Sequence, residues 1–432
     1  MNRSRTMLAG IVAVAMGALS ACSSAGPSTS LASDQPVTIT FSSYNYGTPG
    51  AAGAGTQALL DAFAAEHPNI TVQPQSVPTA DVLTKAKTDV AAGNAPDVVQ
   101  IGYSKLAEAF QTLPVRSLQD IAGGEWAAHV DGINPSLVQT GENKGSIAAL
   151  PYTISVPTLF YNADLFRAAG LDPDAPPTTI DAVRQDAQAI VQAGHQGAYF
   201  GIVDSGKSDY LTQSVIDSAG GAVVSDSGDV TVASDAAVRG LTAVQALTTA
   251  GLQPAVGVED AVAAFSSGNL GMLVVSTAVA GSLQKAAKFD LRSSAFPSFG
   301  AGTAKPTFSG AGLIVLSDDP VKQAAAWQLV KFLTSAEGNT IVTKQIGYLP
   351  LRAGLADDPA YLKDYFAANH LLLPAMKQLA DVSPYRFFPG SKANQAVVLL
   401  QDNAVEPIVL RGADPRQTLT DVAARIRELT AP

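Results

Sequence analysis

The sequence predicts an α/β fold in which a mostly parallel sheet is covered by helices. Three observations carry that prediction. Short β-branched runs alternate with helix-length stretches from Val37 to Ile101, and Gly and Pro clusters punctuate the joints. The composition, 47% hydrophobic and 15% charged, is that of an ordinary globular chain, and 432 residues suffice for two to three units of roughly 150 residues each.

Element by element, Val37–Ser43 (VTITFSS) alternates branched apolar and polar residues, as a strand does. A Gly-rich loop over 47–55 leads into a helix over 56–66, with Leu59, Leu60 and Phe63 on one face and His67-Pro68-Asn69 as its stop. A second strand (70–73), a second helix (79–92, ended by Gly93-Asn94) and a third strand (98–101) follow. Residues 151–161 (PYTISVPTLFY) set two prolines among strand formers and predict a crossing strand or hinge. Helices are expected over 162–169 and 178–192, a strand over 198–203, the end of a helix over 261–266, and strands over 270–275 and 311–316. Pro320 opens a helix through Leu333, and the remainder reads as largely helical.

The N-terminus carries Arg3 and Arg5 and then an apolar run over 7–19. That run is too short for a membrane-spanning helix, which needs roughly 20 residues; its layout is that of a secretory signal. Leu19-Ser20-Ala21-Cys22 resembles the bacterial lipobox. The resemblance implies a signal peptide over 1–21, a lipid-modified Cys22 as mature N-terminus, and a lipid anchor on the extracytoplasmic face of the cell membrane. Residues 22–36, rich in Ser, Pro and Ala, read as a flexible tether. Ser4 separates the arginines, which speaks against a twin-arginine route. Cys22 is the one cysteine of the chain, so the mature body has no thiol for a disulfide, a thiolate metal site or a nucleophile. A net charge of −10 argues against nucleic acid as a partner, while a small anion held by one or two local charges stays open.

Two motifs invite nucleotide readings. Residues 201–208 (GIVDSGKS) match the phosphate-loop pattern GxxxxGKS, but Ile202 and Val203 fall inside the loop and the strand before Gly201 is short. Gly53-Ala54-Gly55 imitates a dinucleotide fingerprint, yet the preceding strand ends near Ser43, too early for it. Four scattered histidines and the absence of HExxH and GxSxG leave no catalytic or metal motif, and no cofactor is expected.

Six segments occur in the order found in carbohydrate-type solute-binding proteins of ABC importers, and the chain resembles that family over nearly all of its mature length. They are LLDAFAAEHPNITVQ, AAGNAPDVVQ, LPYTISVPTLFYNADLFRAAGLDP, AFSSGNLGMLVVST, SGAGLIVLSDDPVKQAAAWQLVKFLTS and IGYLPLR. Within the family it resembles the glycerol-3-phosphate and glycerophosphodiester binders, through Ser309–Gly312, GYLP at 347–350, and PYRFFPG followed by LRGAD. The resemblance implies a two-lobe periplasmic-binding-protein-like α/β fold with crossing hinge segments and a ligand cleft between the lobes. It implies lobe 1 from 37–151 plus 270–316, and lobe 2 from 152–269 plus 317–432. Carried over by motif, the cleft residues are Tyr44, Tyr46 and Tyr103 from the first lobe and Ser155 from the crossing. Tyr210, Ser276, Thr277, Ser309 and Gly310 follow from the later segments, and Tyr348 and Arg386 from the C-terminal region. Aromatic faces would stack on a polyol while hydroxyls and a guanidinium bond its oxygens. Each residue also has a bland alternative: a tyrosine among strand formers suits half-buried core, and an arginine suits a solvated surface.

The family's glycerophospho-binders place an acidic residue after the third strand; this chain has Gly102-Tyr103 there, and Lys207 at a loop position that is often apolar. A neutral sugar, an oligosaccharide or a differently shaped phosphodiester therefore all remain candidates. Two tryptophans, Trp126 and Trp327, are too few for a broad glycan platform. The expected function is capture of a sugar, polyol or glycerol-phosphate derivative and its delivery, by a monomer, to the importer's membrane subunits, without enzymatic activity. The alternative is a surface glycan-processing hydrolase, whose two acids need not be close in sequence.

Overall fold

Two β-sheets organise the chain, and the first observation above, alternation of strand and helix, accounts for most of one of them. The computed structural model describes residues 35–48, 51–203 and 206–431; the 1–21 leader, Cys22 and the tether as far as residue 34 lie outside the described residues. Its strands are β1 (Val37–Ser43), β2 (Ile70–Ser76), β3 (Val98–Gly102), β4 (Glu142–Asn143), β5 (Ser146–Ile147), β6 (Ala149–Ser155), β7 (Pro157–Asn162), β8 (Gln196–Phe200), β9 (Leu270–Ser276), β10 (Leu291–Ser294) and β11 (Ser309–Val315). The first sheet has the order β2-β1-β3-β11-β6 and the second β10-β7-β9-β8, while β4 and β5 form a small hairpin. In the first sheet β1, β2 and β3 are mutually parallel and β11 runs antiparallel to both β3 and β6.

Alternation in β1 buries Ile39 and Phe41 against Leu59 and Phe63 of the helix Ala51–Glu66 and Trp327 and Val330 of the helix Pro320–Leu333. Each fully buried side chain of this size stabilises the lobe by roughly 1.5–3 kcal/mol. The opposite face of that sheet and the whole second sheet share a larger apolar cluster. The first helix starts at Ala51, inside the segment read as a Gly-rich loop. Its glycines serve close packing: a Cβ on Gly53 would sit 2.0 Å from the Thr48 carbonyl, and one on Gly55 2.6 Å from Ile346.

The lobe boundaries differ from those expected. Strand β9, placed by sequence in lobe 1, pairs with β7 and β8 in the second sheet, where its LGMLVV run is buried on both faces. The helix Pro320–Leu333, placed in lobe 2, packs on β1 in lobe 1. Nothing in an apolar run names its pairing partner, and a two-sided buried strand fits either sheet. The chain crosses between lobes at 155–157, again between β10 and β11, and a third time after helix Ala336–Ile341, which packs with the first helix. Residues from 353 onward return to the second lobe, where the helix Leu373–Gln378 packs on β7 and β10.

Candidate functional site

Register fixes where the candidate residues lie. Strands β1, β3 and β6 end, and β11 begins, at one edge of the first sheet: Gly102 pairs with Ala311, Ala311 with Thr153, and Ser309 with Ser155. Tyr44, Tyr103, Ser155, Ser309 and Gly310 therefore leave the sheet together. Tyr348 joins them because Leu349 forms a bridge to Ile154, its N–H donating to the Ile154 carbonyl at 2.9 Å. Gly347, at φ +100°, turns the chain out of the preceding helical segment and presents Tyr348 to this edge. At the matching edge of the second sheet Pro157 pairs with Ser276. The two edges are joined through Val156, whose N–H donates to Thr277 Oγ1 (3.2 Å) and whose carbonyl accepts from the Thr277 N–H (3.0 Å). A groove at the carboxyl ends of strands is where open α/β sheets bind ligands.

Four tyrosines cluster on the first-lobe side. The Tyr103 hydroxyl donates to the Thr153 carbonyl at 3.3 Å, and its ring stands edge-on to Phe308 at 5.1 Å. Burial pushes the Tyr44 phenol well above its ordinary value, helped by the neighbouring Tyr348 phenol. Burial likewise raises Tyr103, Tyr152 and Tyr348. All four are thus neutral hydrogen-bonding groups across physiological pH. Beneath them the Ser43 hydroxyl donates to Gln100 Oε1 at 2.6 Å and accepts from the Asn45 and Tyr46 N–H groups. Gln100 Nε2, Tyr152 OH, Thr153 Oγ1 and Asn45 Nδ2 are buried without a hydrogen-bond partner. The Tyr44 hydroxyl approaches Thr153 and Gln100 without completing a bond to either side chain. Gln100 and Tyr152 escaped the sequence reading, although Gln100 is the one polar side chain in VVQIG.

The second-lobe residues form a separate network. Tyr210 opens the helix Tyr210–Ser218 behind Asp209, whose carboxylate accepts from the Tyr385 hydroxyl and from Gln213 Nε2 (3.0 Å). That helix is buried along its whole length, so it has no polar face for a periodicity to reveal. The Gln213 amide also clamps the Arg386 backbone, donating to its carbonyl at 2.9 Å and accepting from its N–H at 3.0 Å. The Arg386 guanidinium donates to Asp226 (2.7 Å) and to the Val224 carbonyl (3.2 Å), so its hydrogen bonds all stay within the second lobe. Nearby, both oxygens of the buried Asp217 carboxylate lack a hydrogen bond. Burial raises this carboxyl to about 7 against the opposing pull of Arg386 and Lys305.

Some candidates have architectural duties. Thr277 is fully buried and committed to Val156, and Ser276 caps the following turn by accepting from the Ala278 N–H at 3.1 Å. Gly310, at φ +136°, brings its backbone against Thr153, where a Cβ would lie 2.0 Å from the carbonyl oxygen. Tyr46 is half-buried against the core that contains Trp327. Trp327 packs with Trp126 and His129 in that same lobe. In the GKS segment the Lys207 ammonium pairs with Asp402 (2.7 Å) and Glu406 (3.6 Å), which occupies the charge a phosphate loop would need. Among the described residues no group of three or more His, Cys, Asp or Glu could hold a metal ion, and no helix is long and apolar enough to cross a membrane.

Residues 46–340 match the family described as bacterial extracellular solute-binding protein. The chain belongs to that family. A Deinococcus radiodurans protein named as a probable ABC transporter-binding protein is 31% identical over 334 residues, which is 72% of this chain and 76% of the relative. The fold matches the cyclic α-maltosyl-1,6-maltose binding protein of Arthrobacter globiformis with a TM-score of 0.80 at 21% identity, covering 91% of this chain and 99% of that one. It also matches UgpB of Mycobacterium tuberculosis, solved in complex with glycerophosphocholine, with a TM-score of 0.77 at 22% identity over 91% of this chain and 98% of that one. The two-lobe architecture of this solute-binding protein is therefore the one seen in both.

Proposed function

We propose that the protein captures a sugar, polyol or glycerol-phosphate derivative between its lobes and delivers it, as a monomer tethered through lipid-modified Cys22, to the membrane subunits of an ABC importer. The observation that carries this reading is the meeting of the two sheets' strand ends at 155–157, with tyrosines and hydroxyls grouped on the first-lobe side. The names of the similar proteins support the solute class: one binds a cyclic maltosyl saccharide, another was solved with glycerophosphocholine. A solute touching both lobes favours the closed arrangement by its differential affinity for it. Tyr44, Tyr46, Tyr103, Ser155, Ser309 and Tyr348 would receive it from the first lobe, Tyr210, Ser276 and Arg386 from the second.

A thermal-shift panel of saccharides, polyols and glycerophosphodiesters tests the reading. A ligand at one hundred times its Kd stabilises the native state by about 2.7 kcal/mol. An unmoved melting temperature across the panel would overturn the ligand class. Release of a Cys22→Ala variant from the cell membrane tests the tether; continued membrane association would refute it.

A further inference from the structure

We infer that the solute is uncharged, a sugar or polyol without a phosphate group, and that Gln100, Tyr152 and Thr153 give it hydrogen bonds on the first-lobe side. The inference rests on the interlobe site proposed above and names its substrate class.

Charge decides against an anion. On the first-lobe side the groups are phenols, hydroxyls and carboxamides, and burial holds the phenols neutral. Lys105, on the same helix as Tyr103, spends its ammonium on the Thr79 and Ala80 carbonyls at 2.7 and 3.1 Å. On the second-lobe side Arg386 already pairs with Asp226 at 2.7 Å and faces the buried Asp217, which Lys305 and Asp209 also face. That neighbourhood holds three carboxylates for two cations. Lys207 is likewise answered by Asp402 and Glu406. A phosphate monoester brings about −1.5 to −2 charges, and burying it here would leave it without a free cation. Sugar hydroxyls need none.

The orphan groups point the same way. Gln100 Nε2 donates only, whereas the Tyr152 and Thr153 hydroxyls both donate and accept; all three are buried and unpartnered. Such a mixed set suits hydroxyl groups, which are themselves donor and acceptor, and suits an acceptor-only phosphate poorly. Buried polar groups left unpaired are costly, so a site that gives them partners, directly or through one bridging water, gains both affinity and specificity. Gln100 and Thr153 lie next to Tyr44, and Tyr152 next to Tyr348, which puts the three within the cluster at the sheet edge.

Isothermal titration of the wild-type protein against matched probes tests this: maltose, trehalose, glucose and glycerol in one arm, and trehalose 6-phosphate, glucose 6-phosphate, glycerol 3-phosphate and glycerophosphocholine in the other. Binding in the neutral arm, with each phosphorylated counterpart at least tenfold weaker, is the expected result. A phosphate-bearing probe that binds as tightly as its neutral counterpart, or alone, would overturn the inference and leave the proposed function standing. Silence in both arms would overturn the proposed function and the inference with it. Thr153→Val removes one orphan hydroxyl at constant shape; it is expected to weaken the neutral probe about tenfold without lowering the melting temperature. Unchanged affinity in that variant would remove Thr153 from the site, and the wild-type panel answers the charge question whether or not the variant folds.

Discussion

Replacing Asp217 by Asn should make the protein more stable at neutral pH. The carboxylate is 6% exposed, neither oxygen has a hydrogen bond, and Ser383 lies near without completing one. Burial raises it from 3.8 to about 7 even though Arg386 and Lys305 pull it down. A carboxyl with a higher pKa in the folded than in the unfolded chain binds more protons when native, so stability is greatest below pH 4 and declines as pH rises through 7. One pKa unit corresponds to 1.36 kcal/mol, so the full interval from 3.8 to about 7 amounts to about 4 kcal/mol at most. Asn keeps the shape and carries no charge to desolvate. Urea unfolding of both proteins at pH 5, 6, 7 and 8 reads the effect directly. The difference in unfolding free energy should grow in favour of Asp217→Asn by about 1 kcal/mol per unit up to pH 7 and then level off. Parallel profiles would refute the reasoning, because they would mean that Asp217 titrates alike in the folded and unfolded chains.

Other substitutions probe other parts of the structure. Gly310→Ala should lower stability by about 3 kcal/mol or more in thermal unfolding, since φ is +136° and the new Cβ would strike the Thr153 carbonyl. Lys207→Met should cost no more than about 1 kcal/mol, as its ion pairs are partly exposed, and magnesium-ATP should leave the melting temperature of the wild-type protein unmoved. The His129 imidazole, lowered to about 4 mainly by burial and then by Arg352 and Lys331, should stay neutral in an NMR titration down to pH 5. A midpoint near 6.5 would show that the Trp126–Trp327 cluster does not shield it. Tyr348→Ala should weaken whichever probe binds by at least tenfold, read by calorimetry, while leaving the fold intact.

How much of this was legible in the sequence follows from what each signal measures. Alternation located β1 to the residue, and Pro320 located the helix after β11, because one-sided burial and an N-terminal proline are local properties. Tyr348 was placed by the short GYLP motif, and the structure adds how it is held: a left-handed Gly347 and a bridge from Leu349 to Ile154. Sheet membership of β9 was not legible, because LGMLVV is apolar on both faces and pairing is decided by residues far away in the chain. Gln100 and Asp217 were missed for a related reason. Their significance lies in a missing partner, and an unpaired atom is a property of the packed core alone.

The placement of Tyr348 and Arg386 explains how one solute could report on the position of both lobes. Tyr348 is fixed to the first lobe by the Leu349 bridge to Ile154, and Arg352 extends that attachment by donating to the His129 and Asp131 carbonyls. Arg386 is fixed to the second lobe by the double bond of its backbone to Gln213. The crossing at 155–157 is itself braced by the Thr277 clasp on Val156, so rotation of the lobes has to be absorbed by few backbone torsions. A solute held by side chains anchored on opposite sides of such a joint gains contacts only when the joint closes. Its binding energy is then differential by construction, which is the condition for shifting a two-state equilibrium. Loosening one anchor, as Gln213→Ala would do to Arg386, should therefore weaken binding of the same probe even though Gln213 need not touch it. Calorimetry showing unchanged affinity in Gln213→Ala would mean that Arg386 plays no part in holding the solute.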